Sequence, residues 1–387
     1  MYKILTYNNI AAAGLDRFAR EKYEIASEIQ HPDAILLRSH KLHGVPIPET
    51  LKAVGRAGAG VNNVPVDEYS LKGIPVFNAP GANANAVKEL VLAGMLIAAR
   101  NICQGWAYTR GLTGDDQTLN TLVEKGKKDY VGFELPGRTL GIVGLGAIGV
   151  GVANSAYGLG MSVVGYDPLI TVKRAWQLSS AVTQASVLDE LFSKSDFVSL
   201  HIPLNKETKH LVNRDRIQLM KDGSVLLNFS RGEIVDDDAV CEALDSGKLY
   251  AYVTDFPNNR LKDHSRVIGL PHLGASTGEA EENSAVMVAN ELIDYLENGN
   301  ITNSVNFPEV VMPRCGQGRI AISNENVPHM VSQISTCLAD AELNILDLLN
   351  KSRGDVAYTL IDIENPVSPE IIKQIEKIDG VQSVRLL

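Results

Sequence analysis

Two segments of the 387-residue chain carry side chains suited to moving a proton and gripping an anion. Pro271-His272 precedes a flexible Gly-Ala-Ser-Thr, and Asn228-Phe-Ser230-Arg231-Gly232 follows an apolar run. An imidazole titrates near neutral pH and accepts a hydroxyl proton, whereas a guanidinium stays charged and forks onto two oxygens. Oxidising an alcohol that sits beside a carboxylate needs both, together with an acceptor for hydride. Each residue also has an ordinary explanation: a lone histidine is often structural, and Arg231 could pair with Glu233 or Asp236.

The hydride acceptor is suggested elsewhere. Gly144-Leu-Gly146-Ala147-Ile148-Gly149 follows the strand-like TLGIV and opens a helical pattern. Its glycines permit a tight turn, backbone approach to a pyrophosphate and close helix–strand packing, while the helix start offers free N–H groups. The next strand, MSVVGYD, ends in Asp167, where a carboxylate accepts hydrogen bonds from ribose hydroxyls. An acid there repels a 2′-phosphate and Pro168-Leu169 supplies no arginine, so NAD is expected rather than NADP. Ligands of doubly wound sheets bind at the carboxyl ends of strands. On that ground His201, Pro203, Ser230, Asp255 and Gly274 are expected around the cofactor.

These residues need a scaffold. From Thr139 to Val267 the chain repeats a short apolar strand, a turn and a helical pattern, which is how a parallel sheet reads. The strands expected are Thr139–Val143, Ser162–Tyr166, Phe197–His201, Ser224–Phe229, Tyr250–Thr254 and Arg266–Ile268. Residues 1–95 repeat the theme more loosely and are expected to form a substrate-binding lobe, completed by a returning segment at 281–306. Residues 96–280 would be the nucleotide-binding domain. Pro and Gly without periodicity at 307–318 read as a linker, and 319–387 spell βαββαβ, a ferredoxin-like unit. The fold class expected is therefore α/β: two Rossmann-like lobes with doubly wound parallel sheets, plus the small ferredoxin-like domain.

Composition narrows the partners. With 45% hydrophobic and 21% charged residues the chain reads as globular, and its net charge of -10 argues against nucleic acid or an anionic membrane. MYKILTYNN lacks the pattern of a signal peptide, so a cytoplasmic protein is expected. Cys103, Cys241, Cys315 and Cys337 form no CxxC and are assigned no chemistry; no metal is expected. An anionic ligand must meet local cations, and Arg38, Arg56 and Lys127-Lys128 are the candidates.

GLGAIG with Asp167, HIPL at 201–204, NFSRGEIVD at 228–236 and PHLGAST at 271–277 resemble the NAD-dependent D-2-hydroxyacid dehydrogenases over residues 1 to about 306. The resemblance implies Arg231 as anchor of the substrate carboxylate and His272 as proton acceptor. It implies Arg38 and Arg56 at a phosphate end, with Gly58, Asn62, Asn83 and Lys128 also around the substrate; D-3-phosphoglycerate is the favoured substrate. Glyoxylate, hydroxypyruvate or 4-phosphoerythronate is the alternative, and a non-catalytic NAD(H)-sensing scaffold a more distant one. Most of the family pairs the histidine with a glutamate shortly after the strand ending in Asp255. Here that position falls on Asn259, whose amide could hold the ring but brings no charge. The tail resembles an ACT domain, which implies pairing into a homodimer or homotetramer and an amino-acid effector, L-serine, near Asn324, Asn326 and Asn344. Asn324 stands where a histidine is frequent and His329 where a glycine is frequent, two departures from the pattern at the effector position.

Overall fold

The computed structural model describes residues 1–387, in which three sheets organise the chain. The first is wholly parallel, in the order Tyr23–Ala26, Tyr2–Tyr7, Ala34–Leu37, Ala53–Arg56, Val76–Asn78. Helix Gly278–Asn298 lies on one of its faces, and the close fit depends on glycine: a Cβ on Gly55 would stand 2.5 Å from Val288. Burial of Val288, Ala289, Leu292 and Tyr295 against Ile4, Leu36 and Phe77 supplies the driving force.

The second sheet has seven parallel strands, in the order Val267–Gly269, Leu249–Thr254, Ser224–Asn228, Phe197–Leu200, Thr139–Val143, Ser162–Tyr166, Thr183–Gln184. The direction of winding reverses between Phe197–Leu200 and Thr139–Val143, the switch point at which such sheets bind ligands. The six expected strands are present to within a residue or two at their ends. The short Thr183–Gln184 strand, exposed and without an apolar run, was not expected.

The third sheet is antiparallel, in the order Ile345–Arg353, Val356–Ile363, Gly318–Glu325, Val381–Leu386. Helices Met330–Asp340 and Pro369–Ile375 complete the βαββαβ succession over a core of Ile320, Ile322, Ile334, Leu338 and Ile361.

Two compact units result: Met1–Asn83 with Gly278–Leu387, and Ala84–Thr277. Both expected boundaries differ from this. Helix Ala84–Ala99 lies within the second unit, because its Val87, Val91 and Met95 face pack on helix Ala147–Gly158 and the sheet beneath. The tail shares its unit with the first sheet, because Tyr358 and Leu360 pack with Tyr295 and Phe307. The 307–318 stretch expected to be a linker is pinned: Ile301 bridges Val310, and Phe307, Val310 and Met312 are buried. A fully buried ion pair joins Arg319 Nε to Asp362 Oδ1 at 2.6 Å, while Arg319 also donates to the carbonyls of Asn298 and Met312. No helix is long and apolar enough to cross a membrane.

Candidate active site

The glycine turn after Thr139–Val143 is built for close approach. Gly144 has φ +93°, and a Cβ there would lie 2.5 Å from the His201 carbonyl. A Cβ on Gly149 would collide with the Gly144 carbonyl, whereas one on Gly146 would meet open space. Gly146 caps helix Ala147–Gly158 with no side-chain hydrogen bond, leaving the N–H groups of the first turn, Ala147 and Ile148 among them, for an anion. Asp167 Oδ2 accepts from Leu145 N at 2.8 Å and Oδ1 from Leu169 N at 2.9 Å, which fixes the carboxylate and leaves each oxygen a further lone pair for a ribose hydroxyl. These features fit a dinucleotide.

Neighbouring strands end around the same turn. His201 bonds Ser199 Oγ through Nε2 at 2.9 Å, and its Nδ1 is sealed without a partner. Burial pushes its pKa down to about 4, so the ring is neutral. Pro203 accepts from Thr208 Oγ1 at 2.6 Å, and Ser230 Oγ donates to the Leu200 carbonyl at 2.6 Å.

Arg231 follows Ser224–Asn228 in extended conformation, half-buried, with Nη1 on the Ser230 carbonyl at 2.6 Å. Neither suspected acid pairs with it. Glu233 faces Lys209, and Asp236 caps helix Asp237–Asp245 by accepting from the N–H groups of Asp238 and Ala239. The guanidinium keeps donors for a substrate. Its backbone is held from below by fully buried Asn228, whose Nδ2 donates to the Arg231 carbonyl at 2.9 Å and to Tyr252 Oη at 3.3 Å.

His272 is exposed, with its ring on Phe256 at 4.7 Å between centroids. Phe256 also lies under Gly232, where a Cβ would stand 3.4 Å from the Phe256 Cβ. One aromatic side chain therefore backs both the Arg231 turn and the histidine. Beside it Asp255 is 1% exposed; Oδ2 accepts from Gly274 N at 3.1 Å and so ties down the loop bearing His272, while Oδ1 has no partner. Burial raises its pKa, opposed by that Gly274 N–H and the charge of His272.

Asn259 does not hold the ring. It stands exposed with no side-chain hydrogen bond, because the turn is organised by its neighbour. Asn258 accepts from the N–H groups of Arg260 and Leu261 and donates to Asp237 Oδ2 at 2.7 Å. Asp255 is the carboxylate that feels the His272 charge.

The first unit carries most of the expected substrate residues. Arg56 Nε donates to the Arg38 carbonyl at 3.0 Å and its guanidinium fills the space a Gly58 side chain would need; φ of +150° at Gly58 enforces the same choice. Arg38 pairs with Glu281 at 2.7 Å, an acid that sequence reasoning missed. The Asn62 carbonyl contacts His43 Nε2, and it is Asn63 whose amide ties Arg38 to His40. Asn83 is half-buried at the end of its loop. Lys128 belongs to the second unit, exposed beside Lys127, which pairs with Glu124.

In the tail, a cavity of about 330 Å³ is lined by Asn324, Asn326, His329 and Ser332 among others. Asn324 is buried with an unpartnered Oδ1, Asn326 donates to the Gly354 carbonyl at 3.0 Å, and His329 has φ +69°. Asn344 is not part of this lining; it donates to Glu364 at 2.9 Å.

Residues 92–274 match the family described as D-isomer specific 2-hydroxyacid dehydrogenase, NAD binding domain. The chain is 36% identical over 350 residues to the D-3-phosphoglycerate dehydrogenase of Haemophilus influenzae, covering 87% of this chain and 81% of that one. It is 36% identical over 353 residues to the enzyme of the same name from Escherichia coli K12, covering 88% and 82%. Among solved structures, the NAD+-bound 3-phosphoglycerate dehydrogenase of Entamoeba histolytica superposes with a TM-score of 0.60 at 27% identity, covering 79% of this chain and 98% of that one.

Proposed function

The chain belongs to the D-isomer-specific 2-hydroxyacid dehydrogenases, and from that premise we propose that it oxidises D-3-phosphoglycerate to 3-phosphohydroxypyruvate with NAD, the first step of serine biosynthesis. The observation that carries the reading is the shared Phe256 support, which sets the unpaired Arg231 turn and the His272 ring on one side chain. Arg231 grips the substrate carboxylate with two parallel hydrogen bonds and thereby orients C2. His272 takes the hydroxyl proton while the C2 hydride leaves, so the alcohol becomes a carbonyl. Bound NAD supplies the hydride acceptor, seated by Gly144, Gly146, Gly149 and Asp167. Asp255 holds the Gly274 loop and, as a carboxylate, stabilises the imidazolium left after proton transfer.

Arg56 and Arg38 take the phosphate, with the turn at Gly58 giving the phosphate access, and Asn62, Asn83 and Lys128 complete the substrate contacts. On this reading Ala84–Thr277 is the cofactor unit, and Met1–Asn83 with Gly278–Leu387 the substrate and regulatory unit. The tail is an ACT domain through which the cytoplasmic enzyme pairs into a homodimer or homotetramer and binds L-serine at the Asn324–Asn326 cavity. Steady-state NADH formation from D-3-phosphoglycerate, beside Arg56→Ala and with L-serine added, tests the whole. Turnover that collapses in the variant, mainly through a raised KM, and slows with serine supports it. Absence of turnover while NAD still binds refutes the substrate.

A further inference from the structure

Arg38 offers a phosphate a charge that is already engaged. It follows strand Ala34–Leu37, and its carbonyl is gripped by Arg56 Nε at 3.0 Å and Asn63 Nδ2 at 3.1 Å. The backbone is thus fixed, and the side chain alone is left to answer a ligand. Its Nη1 lies 2.7 Å from Oε1 of Glu281, an acid in the first turn of helix Gly278–Asn298.

The fold brings the acid there. Val288 and Leu292 seat the helix on Gly55, next to Arg56, and Glu281 stands about two turns before Val288 on the same face. Leu37 and Arg56 are partners across neighbouring strands, so both arginines emerge at one end of the sheet, and the helix carries its carboxylate to that end. Glu282, one residue on, is exposed and pairs with no cation. The Arg38 and Glu281 side chains are 36% and 42% exposed, so water and a ligand can reach both. An ion pair so placed is weakly held.

We propose that Glu281 determines how strongly the chain prefers a phosphorylated substrate: its carboxylate occupies Arg38 until the phosphate displaces it. The inference rests on the assignment of Arg38 and Arg56 to the phosphate. A phosphate brings about two negative charges and three acceptor oxygens against a single carboxylate, and so takes the guanidinium. The displaced carboxylate is not stranded, because the N-terminal end of a helix favours an anion in its first turn. The exchange lowers affinity, since each phosphorylated ligand must first undo the pair. The product keeps the same phosphate, so the returning carboxylate also helps it leave.

Inorganic phosphate, titrated into the full chain by calorimetry at fixed pH and salt, reads the subsite without turnover. Glu281→Gln removes the competing charge and is expected to tighten phosphate roughly twofold to fivefold, the range of an exposed ion pair. KM for D-3-phosphoglycerate falls by the same factor. Glu282→Gln removes an equal charge that touches no arginine and gives no such gain. In an Arg38→Ala chain Glu281→Gln gives none either, which ties the effect to the pair. Unchanged or weaker phosphate binding in Glu281→Gln, an equal gain from Glu282→Gln, or a gain that survives in Arg38→Ala overturns the proposal. Phosphate binding that ignores Glu281 refutes this inference alone, whereas no phosphate binding by any of the chains removes the phosphate subsite and the inference with it. NADH formation from D-3-phosphoglycerate, measured beside these titrations, judges the activity separately.

Discussion

Glu291→Gln should leave stability unchanged at pH 5 and raise it at pH 8.5. The folded chain holds the Glu291 proton up to about pH 8, whereas an unfolded glutamate releases it near the ordinary 4.5. Between those values the folded state binds one proton more, so stability is greatest below 4.5 and is lost as pH rises through 8. The slope reaches ~1.4 kcal/mol per pH unit and the whole window at most ~5 kcal/mol. Interiors respond to charge more like a medium of intermediate dielectric, so about 2 kcal/mol of difference between the two pH values is the working figure. Glutamine resembles the protonated acid and does not titrate. The variant is therefore expected to match the parent at pH 5 and to exceed it at pH 8.5. Urea unfolding followed by the Met287 methyl resonance makes the comparison locally, since Trp106 and Trp176 both lie in the other unit. Parallel pH profiles for the two proteins would refute a proton held by burial at Glu291.

Four further outcomes are expected. Arg231→Ala should lower kcat/KM for D-3-phosphoglycerate by roughly 10²- to 10³-fold while NADH affinity, read by fluorescence titration, stays put. Asp255→Asn keeps an acceptor for the Gly274 N–H but removes the charge, so kcat should fall roughly tenfold to a hundredfold with little change in KM; an unaltered kcat removes Asp255 from the mechanism. Gly58→Ala forces a side chain into the Arg56 guanidinium and should raise KM for the phosphorylated substrate without altering NAD binding, measured by steady-state kinetics. Arg319→Met strands the Asp362 charge and should destabilise by about 3–5 kcal/mol in urea unfolding, with Arg319→Met/Asp362→Leu recovering much of the loss.

The parallel sheets were legible because buried strands are continuous apolar runs, and the glycine turn was legible because each glycine answers a steric demand that the structure contains. The boundaries were less so. Val87 to Ala99 reads as an apolar helix in either lobe, and no local pattern says that its face fits helix Ala147–Gly158. The tail has its own strand pattern, but the burial of Tyr358 against Phe307 and Tyr295 is a long-range event. At the site, residue type drew attention to Arg231 and His272 but left each an ordinary explanation, and the family resemblance supplied the roles expected of them. Asn259 was misread because two adjacent asparagines compete for one turn, and backbone geometry gave the work to Asn258. Phe256 and Asn228 escaped notice because supporting side chains have no chemical signature; residence next to Asp255 and Arg231 was the available hint.

Because the chain leaves its first unit after Asn83 and re-enters it at Gly278, the ribosome delivers that unit in two instalments. The first sheet emerges with the face destined for Val288, Leu292 and Tyr295 uncovered. At cellular elongation rates roughly 10 to 40 s pass before the covering helix is made. The intervening Ala84–Thr277 is continuous and can close its own core meanwhile. The nascent first sheet is thus the stretch that a chaperone must shield, and a premature stop just after Thr277 yields a product with a finished nucleotide unit and a permanently open companion.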